Sequence, residues 1–297
     1  MVNVGMSHHQ WADHWWPAPA KLNLMLNITG QRADGYHELQ TVFQLVAMSD
    51  WLNFIPTTDG KVSLSCSANN IADPDNLVLR AANLLKERSG TAQGARIILK
   101  KILPMGSGLG GGSSDAATTL VVLNDVWALG YSEKELRDIG LELGADVPVF
   151  VLGRSAWAEG VGEKLEVIDL PEEWFVVVNS DYHCSTKEVF QHNSLTRDNS
   201  AITIRDFLNG QTKNDCLSVV RQMSQELDDV YRRFSGFSEV YLTGTGSSMF
   251  AKCCTREEAV SLSDRLPADW SKWVVKGVNE SPLHKSLKQF SNQVNQV

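Results

Sequence analysis

The chain has 297 residues, of which 43% are hydrophobic, and a formal net charge of −8. This length and composition predict one or two domains with an ample core, and the negative charge argues against a nucleic-acid partner. No apolar run reaches the length of a membrane span. The five cysteines show neither metal-ligand spacing nor a disulfide-like pattern. Together these features favour a cytoplasmic protein with no nucleic-acid or membrane partner.

Residues 1–15 are interpreted as a disordered extension, because the segment is polar and lacks the apolar core of a signal peptide. His8, His9 and His14 could suggest a metal site. A mobile polar tail is the preferred interpretation, since no further ligand residues cluster near them.

Residues 21–28 alternate between apolar and mostly polar positions, which predicts a strand with one buried face. Lys21 and Asn23 lie side by side on the other face. On the pattern alone, a solvated face and a functional face are both open for this pair.

The next segments read as a turn over 30–37 and as strands near 40–46, 51–55 and 61–66. Asp75 is expected to cap a helix over 76–88 that Gly90 ends. A strand over 95–103, a glycine-rich loop and a helix over 116–129 follow. The Ser132–Glu135 pair predicts a capping box for a helix over 133–143, which Gly144 should end.

The glycine-rich loop is the most informative segment, and it reads Leu103-Pro-Met-Gly-Ser-Gly-Leu-Gly-Gly-Gly-Ser-Ser-Asp115. Glycine lets the backbone approach a ligand, and a helix N-terminus supplies unpaired N–H groups and positive charge. A strand, such a loop and a helix in this order predict a phosphate site. Ser113, Ser114 and Asp115 are expected at the cap and first turn. A flexible linker is disfavoured, because apolar elements flank the loop on both sides.

Two familiar nucleotide motifs fit this loop poorly. Gly106, Gly108 and Gly111 match the dinucleotide pattern G-x-G-x-x-G, but a second helix follows where that fold needs a strand ending in an acidic residue. The P-loop pattern is absent, because no lysine follows the glycines. The sequence therefore favours a third kind of nucleotide loop.

Asp146 stands in the segment Gly144-Ala-Asp-Val-Pro148, where the proline should hold the backbone in a defined conformation. A simple turn aspartate is the alternative to a functional role. A hairpin is expected over 157–168, and the polar segment 171–173 is a domain boundary candidate between residues 16–170 and 171–297.

The second half predicts the split βαβ, ferredoxin-like order βαββαβ with inserted helices. Its strands are expected over 174–179, 239–242, 249–254 and 273–278, and its helices over 185–192, 202–208, 217–234 and 256–266. The polar end after Leu287 is expected to fray.

Five segments in order resemble the GHMP small-molecule kinases and, within that superfamily, the 4-diphosphocytidyl-2-C-methyl-D-erythritol kinase family. The segments are Pro-Ala-Lys-Leu-Asn-Leu at 19–24, Arg-Ala-Asp-Gly-Tyr-His at 32–37, the glycine-rich loop at 103–114, Gly-Ala-Asp-Val-Pro at 144–148 and Leu-Thr-Gly-Thr-Gly at 242–246. The resemblance implies an α+β, two-domain fold. Its N-terminal domain would resemble ribosomal protein S5 domain 2, and its C-terminal domain would be ferredoxin-like.

The resemblance also implies a reaction in which ATP, accompanied by Mg²⁺, phosphorylates the 2-hydroxyl of 4-diphosphocytidyl-2-C-methyl-D-erythritol in non-mevalonate isoprenoid biosynthesis. Asp146 would accept or orient the hydroxyl proton, Lys21 would stabilise developing charge, and Asn23 would position the hydroxyl. The ATP phosphates would contact the loop residues Pro104, Met105, Gly106, Ser107, Gly108, Leu109, Gly110, Gly111, Gly112, Ser113 and Ser114.

No carboxylate cage for Mg²⁺ is visible in the sequence, so water and phosphate oxygens are expected to supply most ligands, with Ser114 as a candidate direct ligand.

The resemblance also assigns the two bases of the substrates. Asn76 would reach the adenine side. The cytidine end would use Tyr36, His37, Phe43, Thr186 and Phe190. For Phe190, an ordinary core aromatic is the alternative. We expect a monomer or weak homodimer.

Two departures from the family pattern affect these assignments. The segment 181–184 differs from the usual lead into the helix that carries Thr186 and Phe190, and Ser107 stands where glycine is frequent.

Three other functions compete with this hypothesis. A mevalonate, homoserine or sugar kinase would share the fold, but its acceptor has no base for Tyr36 and His37 to contact. A non-catalytic nucleotide-binding protein should have lost Lys21 or Asp146, which are both present. A dinucleotide oxidoreductase lacks its required strand.

Overall fold

A computed structural model describes residues 11–67, 75–180 and 182–294 and shows an α+β fold built on one ten-stranded sheet. The strands are β1 Trp15–Gln31, β2 His37–Thr57, β3 Val62–Cys66, β4 Gly94–Lys100, β5 Ala156–Glu159, β6 Lys164–Val167, β7 Trp174–Asn179, β8 Tyr241–Leu242, β9 Met249–Cys253 and β10 Ser271–Val278. The helices are α1 Leu77–Ser89, α2 Gly111–Val126, α3 Glu133–Leu141, α4 Val147–Leu152, α5 Thr186–Gln191, α6 Ile204–Leu208, α7 Cys216–Met223, α8 Gln225–Ser235, α9 Arg256–Arg265 and α10 Pro282–Val294. Over these segments, no helix is both long and apolar enough to cross a bilayer.

The N-terminal half is organised around the long antiparallel pair β1–β2. The two strands predicted over 40–46 and 51–55 are one continuous strand, β2, which also pairs with β4 and β5, while β3 runs parallel to β4. Helices α1 to α4 cover one face of this part of the sheet. Their apolar side chains, such as Leu120 and Phe150, join Phe54 in one buried cluster.

The strand predicted over 21–28 has two buried faces rather than one. Lys21 and Asn23, which alternate with the core leucines, are themselves only 2% and 3% exposed. The face that carries them is enclosed because the C-terminal half packs against it. The hydrogen bond from the Asn23 N–H to Thr243 Oγ1 marks this contact.

The C-terminal half has the strand order β10-β7-β9-β8, with antiparallel pairing throughout. This confirms the predicted split βαβ order. The end of β10 also pairs with β2, through Gly277–Val46 and Val278–Leu45, so the sheets of the two halves are continuous. The boundary candidate at 171–173 falls between β6 and β7 and stays a prediction.

Three predicted helix boundaries are wrong for local reasons. Asn76, and not Asp75, is the N-cap of α1, and its Oδ1 accepts from the Val78 N–H; the predicted stop at Gly90 is confirmed, with φ +66°. Helix α3 begins with the predicted Ser132–Glu135 capping box but ends at Leu141, before Gly144. The helix predicted over 217–234 breaks at Ser224, whose extended backbone ends α7 and caps α8.

The polar composition of the two chain ends was misleading. Trp11 is 4% exposed and packs on Phe290 with ring centroids 4.9 Å apart. His14 packs at a tilt against Trp16 and shares a 2.9 Å hydrogen bond with Ser286. Residues 11–15 are therefore ordered, and α10 continues past Leu287 to Val294. Few but large aromatic side chains stabilise both ends, because each of them buries a large apolar area. His8 and His9 lie outside the described residues.

Replacement of Phe290 with alanine should destabilise the protein by about 3 kcal/mol or more, because a buried ring is lost from the cluster with Trp11 and Trp16. Gln289→Ala, an exposed position on the same helix, is the matched control. Chemical denaturation followed by tryptophan fluorescence measures both variants. Equal stability of the two variants would contradict the ordered C-terminal helix.

Candidate active site

A cavity of about 680 Å³ lies where the two halves of the chain meet, and we call it the cleft. Side chains or backbone from β1, β2, the glycine-rich loop, the start of α4, the start of α5 and the turn 244–246 line it. Among the predicted site residues, those that line the cleft are Lys21, Asn23, Phe43, Asn76, Pro104, Met105, Gly106, Ser107, Gly108, Gly110, Gly111, Gly112, Ser113, Asp146, Thr186 and Phe190. The tertiary structure therefore brings most of the predicted site together.

The glycine-rich loop needs its glycines for conformation and for space. Gly106, Gly108 and Gly110 have φ of +63°, +78° and +75°, a region that side chains disfavour. A Cβ atom on Gly108 would also lie 2.2 Å from the Thr243 carbonyl oxygen. Ser107 needs no positive φ, and its hydroxyl donates to the Pro104 carbonyl at 2.8 Å, so the departure at this position is tolerated.

Helix α2 begins at Gly111, earlier than predicted, with Gly110 as its N-cap. No side chain caps it, so the first amide N–H groups of a sixteen-residue helix point into the cleft with the positive end of its dipole. Ser113 and Ser114 fall in the first turn and not at the cap. The arrangement can bind an anionic group with backbone donors.

Lys21 lies beneath this loop. Its ammonium donates to Asn23 Oδ1 at 2.5 Å and to the Gly108 carbonyl at 2.9 Å, and it lies 3.3 Å from Asp146 Oδ2. Its side chain is only 3% exposed, whereas that of Asp146 is 36% exposed. A buried cation needs such partners because an unpaired charge in the interior is strongly disfavoured.

Asn23 is fixed by contacts on both sides of its amide. Its Nδ2 donates to Thr41 Oγ1 at 2.8 Å, and its Oδ1 accepts from Lys21. Thr243, from the C-terminal half, accepts from the Asn23 N–H and donates to the Gly108 carbonyl at 3.1 Å. In this structure Asn23 therefore positions the Lys21 ammonium.

Asp146 precedes α4, a helix that the sequence did not predict. It occupies the N-cap position with φ −83° and ψ −12°, yet its carboxylate makes no capping hydrogen bond. Pro148 stands in the first turn, where its missing N–H is not needed. The carboxylate is consequently oriented by the backbone and is free to face the cleft beside Lys21.

A second buried ion cluster supports the loop from below, and the sequence analysis did not find it. Asp50 is fully buried and accepts from Lys101 Nζ at 2.5 Å and from the Ile102 and Leu103 N–H groups. Lys101 also bonds Asp115 at 2.9 Å. This cluster, Lys101–Asp50–Asp115, fixes the start of the loop to the start of α2.

Burial and the charges within the cluster shift the pKa values of Lys101 and Asp115. Burial lowers the pKa of Lys101, but the charges of Asp115 and Asp50 outweigh this, and the pKa is raised overall. Burial raises the pKa of the Asp115 carboxyl to about 7; Lys101 opposes this shift, and the Asp50 charge adds to it. A single lysine thus holds two carboxylates that could not otherwise remain buried together.

Ser114, the candidate Mg²⁺ ligand, is not placed to reach a metal ion in the cleft. It is fully buried, its hydroxyl has no hydrogen-bond partner in the described residues, and it does not line the cleft. Within the same residues, no group of three or more His, Cys, Asp or Glu side chains could hold a metal ion. Ser113 is the first-turn serine that reaches the cleft.

At the other end of the cleft, Thr186 and Phe190 are the predicted base-binding residues that line it, whereas His37 lies behind Phe190 and is not among the lining residues. His37, 8% exposed, stacks on Phe190 with centroids 4.9 Å apart at 27°, and it accepts a 3.1 Å hydrogen bond from Arg197 Nε. Burial, with the Arg197 charge, lowers the pKa of His37. Thr186 shares a hydrogen bond with Thr245 at 3.0 Å, which joins α5 to the glycine turn.

Of the remaining predicted residues, some line the cleft and others lie outside it. Phe43 is buried under the cleft, with Lys21 Nζ 5.6 Å from its ring centroid. Asn76 lines the cleft and caps α1. Tyr36 is 63% exposed on the preceding turn and does not line the cleft, and Leu109 is a core residue only 1% exposed.

His183 was missed by the sequence analysis although it lines the cleft. Its ring lies against Gly106, where an added Cβ would come within 2.5 Å of Nδ1. It belongs to the segment that departs from the family pattern, and nothing in its spacing signals a site. Only the approach of the C-terminal half to the loop reveals it.

Comparison with known proteins gives a consistent picture. Residues 76–154 match the model of the GHMP kinases N terminal domain. The chain is 51% identical to 4-diphosphocytidyl-2-C-methyl-D-erythritol kinase of Methylococcus capsulatus, over 92% of this chain and 94% of that protein. It is 48% identical to the protein of the same name from Nitrosococcus oceani, over 92% and 98%.

Solved structures agree with these relatives. A crystal structure of 4-(cytidine 5'-diphospho)-2C-methyl-D-erythritol kinase superposes with a TM-score of 0.78 at 32% identity, covering 89% of this chain and 99% of that one. A mevalonate kinase superposes with a TM-score of 0.64 at 13% identity, covering 90% and 100%, which shows a shared fold only.

Substitution of Lys101 by methionine should destabilise the protein by about 3–5 kcal/mol, because Asp50 and Asp115 would be left buried without their cation. Lys100→Met removes the same charge from the exposed neighbouring position and should change stability by less than about 0.5 kcal/mol. Urea denaturation at one pH measures both. A loss of similar size in the two variants would show that the cluster does not stabilise the loop.

Proposed function

Because this chain belongs to the GHMP kinases and, within them, to the 4-diphosphocytidyl-2-C-methyl-D-erythritol kinase family, we propose that it transfers the γ-phosphate of ATP to the 2-hydroxyl of 4-diphosphocytidyl-2-C-methyl-D-erythritol. The products would be the 2-phosphate and ADP, in isoprenoid precursor biosynthesis. The observation that supports this most directly is the contact of Lys21 with both Asp146 and the Gly108 carbonyl. One ammonium thereby joins an acid–base group to the phosphate loop.

The backbone N–H donors of the glycine-rich loop suit the anionic phosphates of ATP. The backbone between Gly106 and Ser113 presents amides at an uncapped helix N-terminus, and three of its glycines have positive φ. We propose that these amides bind the triphosphate and that Asn76 lies on the adenine side. Phosphoryl transfer depends on positioning and charge stabilisation, which a fixed backbone cradle provides before the reaction starts.

Asp146 is the proposed acceptor of the hydroxyl proton. Its carboxylate is partly exposed to the cleft and is not used by the helix that follows it. As the acceptor oxygen approaches the γ-phosphorus and loses its proton to Asp146, negative charge grows on the transferring phosphoryl oxygens. Lys21, 3.3 Å from Asp146 and held by Asn23, is placed to stabilise that charge.

Mg²⁺ is part of the proposal through ATP itself. A nucleoside triphosphate binds Mg²⁺ with its own phosphate oxygens and with water. The described residues add no carboxylate cage, and Ser114 is too deeply buried to serve as a ligand in this conformation. No step proposed for the chain's own residues depends on a protein-bound metal.

The cytidine end of the substrate is assigned to the other side of the cleft. We propose that Phe190 and Tyr36 provide stacking surfaces and that His37 bonds the base, with Phe43 and Thr186 as further lining residues. Stacking of this kind contributes about 1–3 kcal/mol per base. The proposal for Tyr36 requires its exposed turn to approach the bound base.

The proposal includes a cytoplasmic location and no nucleic-acid or membrane partner. All five cysteines of the chain are free, which supports a reducing compartment. The expected monomer or weak homodimer stays a prediction.

An acceptor panel tests the proposed function. Release of ADP is measured with Mg-ATP and 4-diphosphocytidyl-2-C-methyl-D-erythritol, mevalonate, homoserine or galactose as the acceptor. Turnover of the cytidyl compound alone is the expected result. Turnover of another acceptor would keep the kinase chemistry and overturn the base pocket. Binding of ATP without any turnover would favour the non-catalytic alternative.

Asp146→Asn and Lys21→Met should keep the fold and ATP binding but lower kcat by about 10²–10⁴-fold, because each removes one partner in proton transfer or charge stabilisation. Asp138→Asn and Lys134→Met, which alter an exposed ion pair on α3, are the matched controls. Steady-state kinetics and equilibrium ATP binding measure the effects. Wild-type rates in both site variants would refute the mechanism.

Tyr36→Ala, which removes the ring, should raise the KM for the cytidyl substrate much more than the KM for ATP. The reason is that the ring would contact only the base or ribose. The control is Phe237→Ala, which removes a partly exposed ring far from the cleft. The two KM values are measured for each variant. Equal changes for both substrates would reject the stacking assignment.

A further inference from the structure

Arg197 forms a bridge between the two halves of the chain at the base end of the cleft. Its NH1 and NH2 groups donate to the carbonyls of Leu195 at 3.0 Å, Phe190 at 2.8 Å and His192 at 3.0 Å. Its Nε donates to His37 Nε2, at the start of β2, at 3.1 Å. All of these bonds run in one direction, because a guanidinium group can donate hydrogen bonds but cannot accept them.

This one-way donation determines the tautomer of His37. If Nε2 accepts from Arg197, it cannot itself carry a hydrogen, so the neutral ring must carry its proton on Nδ1. Protonation of both ring nitrogens would place two donors against each other and a second cation beside Arg197. In agreement, burial and the Arg197 charge both lower the pKa of His37.

The Nδ1 edge of the His37 ring, which does not itself line the cleft, is the edge without a partner in the part of the protein that the structure describes. Nδ1 has no hydrogen-bond partner among the described residues, and it is not one of their fully enclosed unpartnered atoms. The ring is stacked on Phe190, which lines the cleft. A base that enters beside Phe190 would therefore meet an N–H donor from His37, and it would need an acceptor at that point.

Cytosine and uracil differ in this respect. Cytosine has two adjacent acceptors, N3 and O2, on its pairing edge, whereas uracil carries a hydrogen on N3. A donor facing N3 forms a hydrogen bond with cytosine but opposes another donor in uracil, which leaves both groups unsatisfied.

We propose that Arg197 is a positioning residue that fixes the tautomer of His37 and thereby makes the base pocket select cytosine over uracil. This inference rests on the proposed function, since it takes the cytidyl group to be bound at His37. Arg197 itself acts through His37 and through the backbone segment that carries Phe190.

The test compares kcat/KM for the cytidyl substrate and for its uridine analogue. The wild-type protein should prefer cytosine by roughly tenfold to a hundredfold on this hydrogen bond alone. Arg197→Met frees His37 to move its proton to Nε2 and so to accept from uracil. The preference should fall towards unity through KM, while kcat with the cytidyl substrate stays within about twofold because Lys21 and Asp146 are untouched.

Two further variants distinguish specificity from general damage. Arg205→Met removes a guanidinium from an exposed position on α6 and should keep the wild-type preference. His37→Gln leaves Arg197 bound to its three carbonyls but offers an amide that can donate or accept, so it should also lose the preference. An unchanged preference in both Arg197→Met and His37→Gln would overturn the proposal.

Nitrogen-15 NMR of histidine-labelled protein provides a readout that does not depend on activity. The His37 ring should show a protonated Nδ1 in the wild type and a mixture of tautomers in Arg197→Met. Calorimetric binding of CDP and UDP gives the matching affinity ratio. A wild-type protein that does not phosphorylate the cytidyl substrate would refute the proposed function, whereas an Nε2-protonated His37 would refute the role of Arg197 alone.

Discussion

The buried ammonium of Lys21 is the constraint around which the cleft is organised. A cation with 3% of its side chain exposed must be surrounded by acceptors. The fold supplies them from three places: Asn23 on the same strand, the Gly108 carbonyl of the loop and the Asp146 carboxylate. Each partner is also part of the proposed chemistry, so the requirement for charge compensation and the requirement for catalysis select the same geometry.

The glycine-rich loop transmits this constraint to the C-terminal half. Its Leu109 carbonyl accepts from the Lys21 N–H, and its Ser107 carbonyl accepts from the Ser248 N–H. Thr243 reaches both the loop and Asn23. A phosphate bound by the loop would therefore be held between the two halves, with the cluster of Lys101, Asp50 and Asp115 supporting the loop from the N-terminal side.

The two ends of the cleft differ in whether backbone groups or particular side chains form them. The proposed phosphate end depends on backbone amides and on a helix N-terminus rather than on particular side chains. The base end depends on particular side chains from separate segments, and Arg197 connects two of these segments. The proposed choice of acceptor by this chain consequently rests on the side chains at the base end.

Local signals in the sequence determined the glycine-rich loop before α2, the Ser132–Glu135 capping box, the strand at 174–179 and the split βαβ order of the second half. These features follow from neighbouring residues, because positive φ, caps and periodicity act over a few positions. The family motifs also contain half of the residues that line the cleft.

Only the tertiary structure decided which polar residues are buried and with what partner. The alternating strand could not reveal that the Lys21 face is covered by the C-terminal half, and the polar composition of the chain end concealed Phe290 in an aromatic cluster. Lys101 meets Asp50 across 51 positions, and Arg197 meets His37 across 160. Such contacts depend on chain segments distant in sequence, and the charge or tautomer of each group is set by the neighbour that folding brings to it.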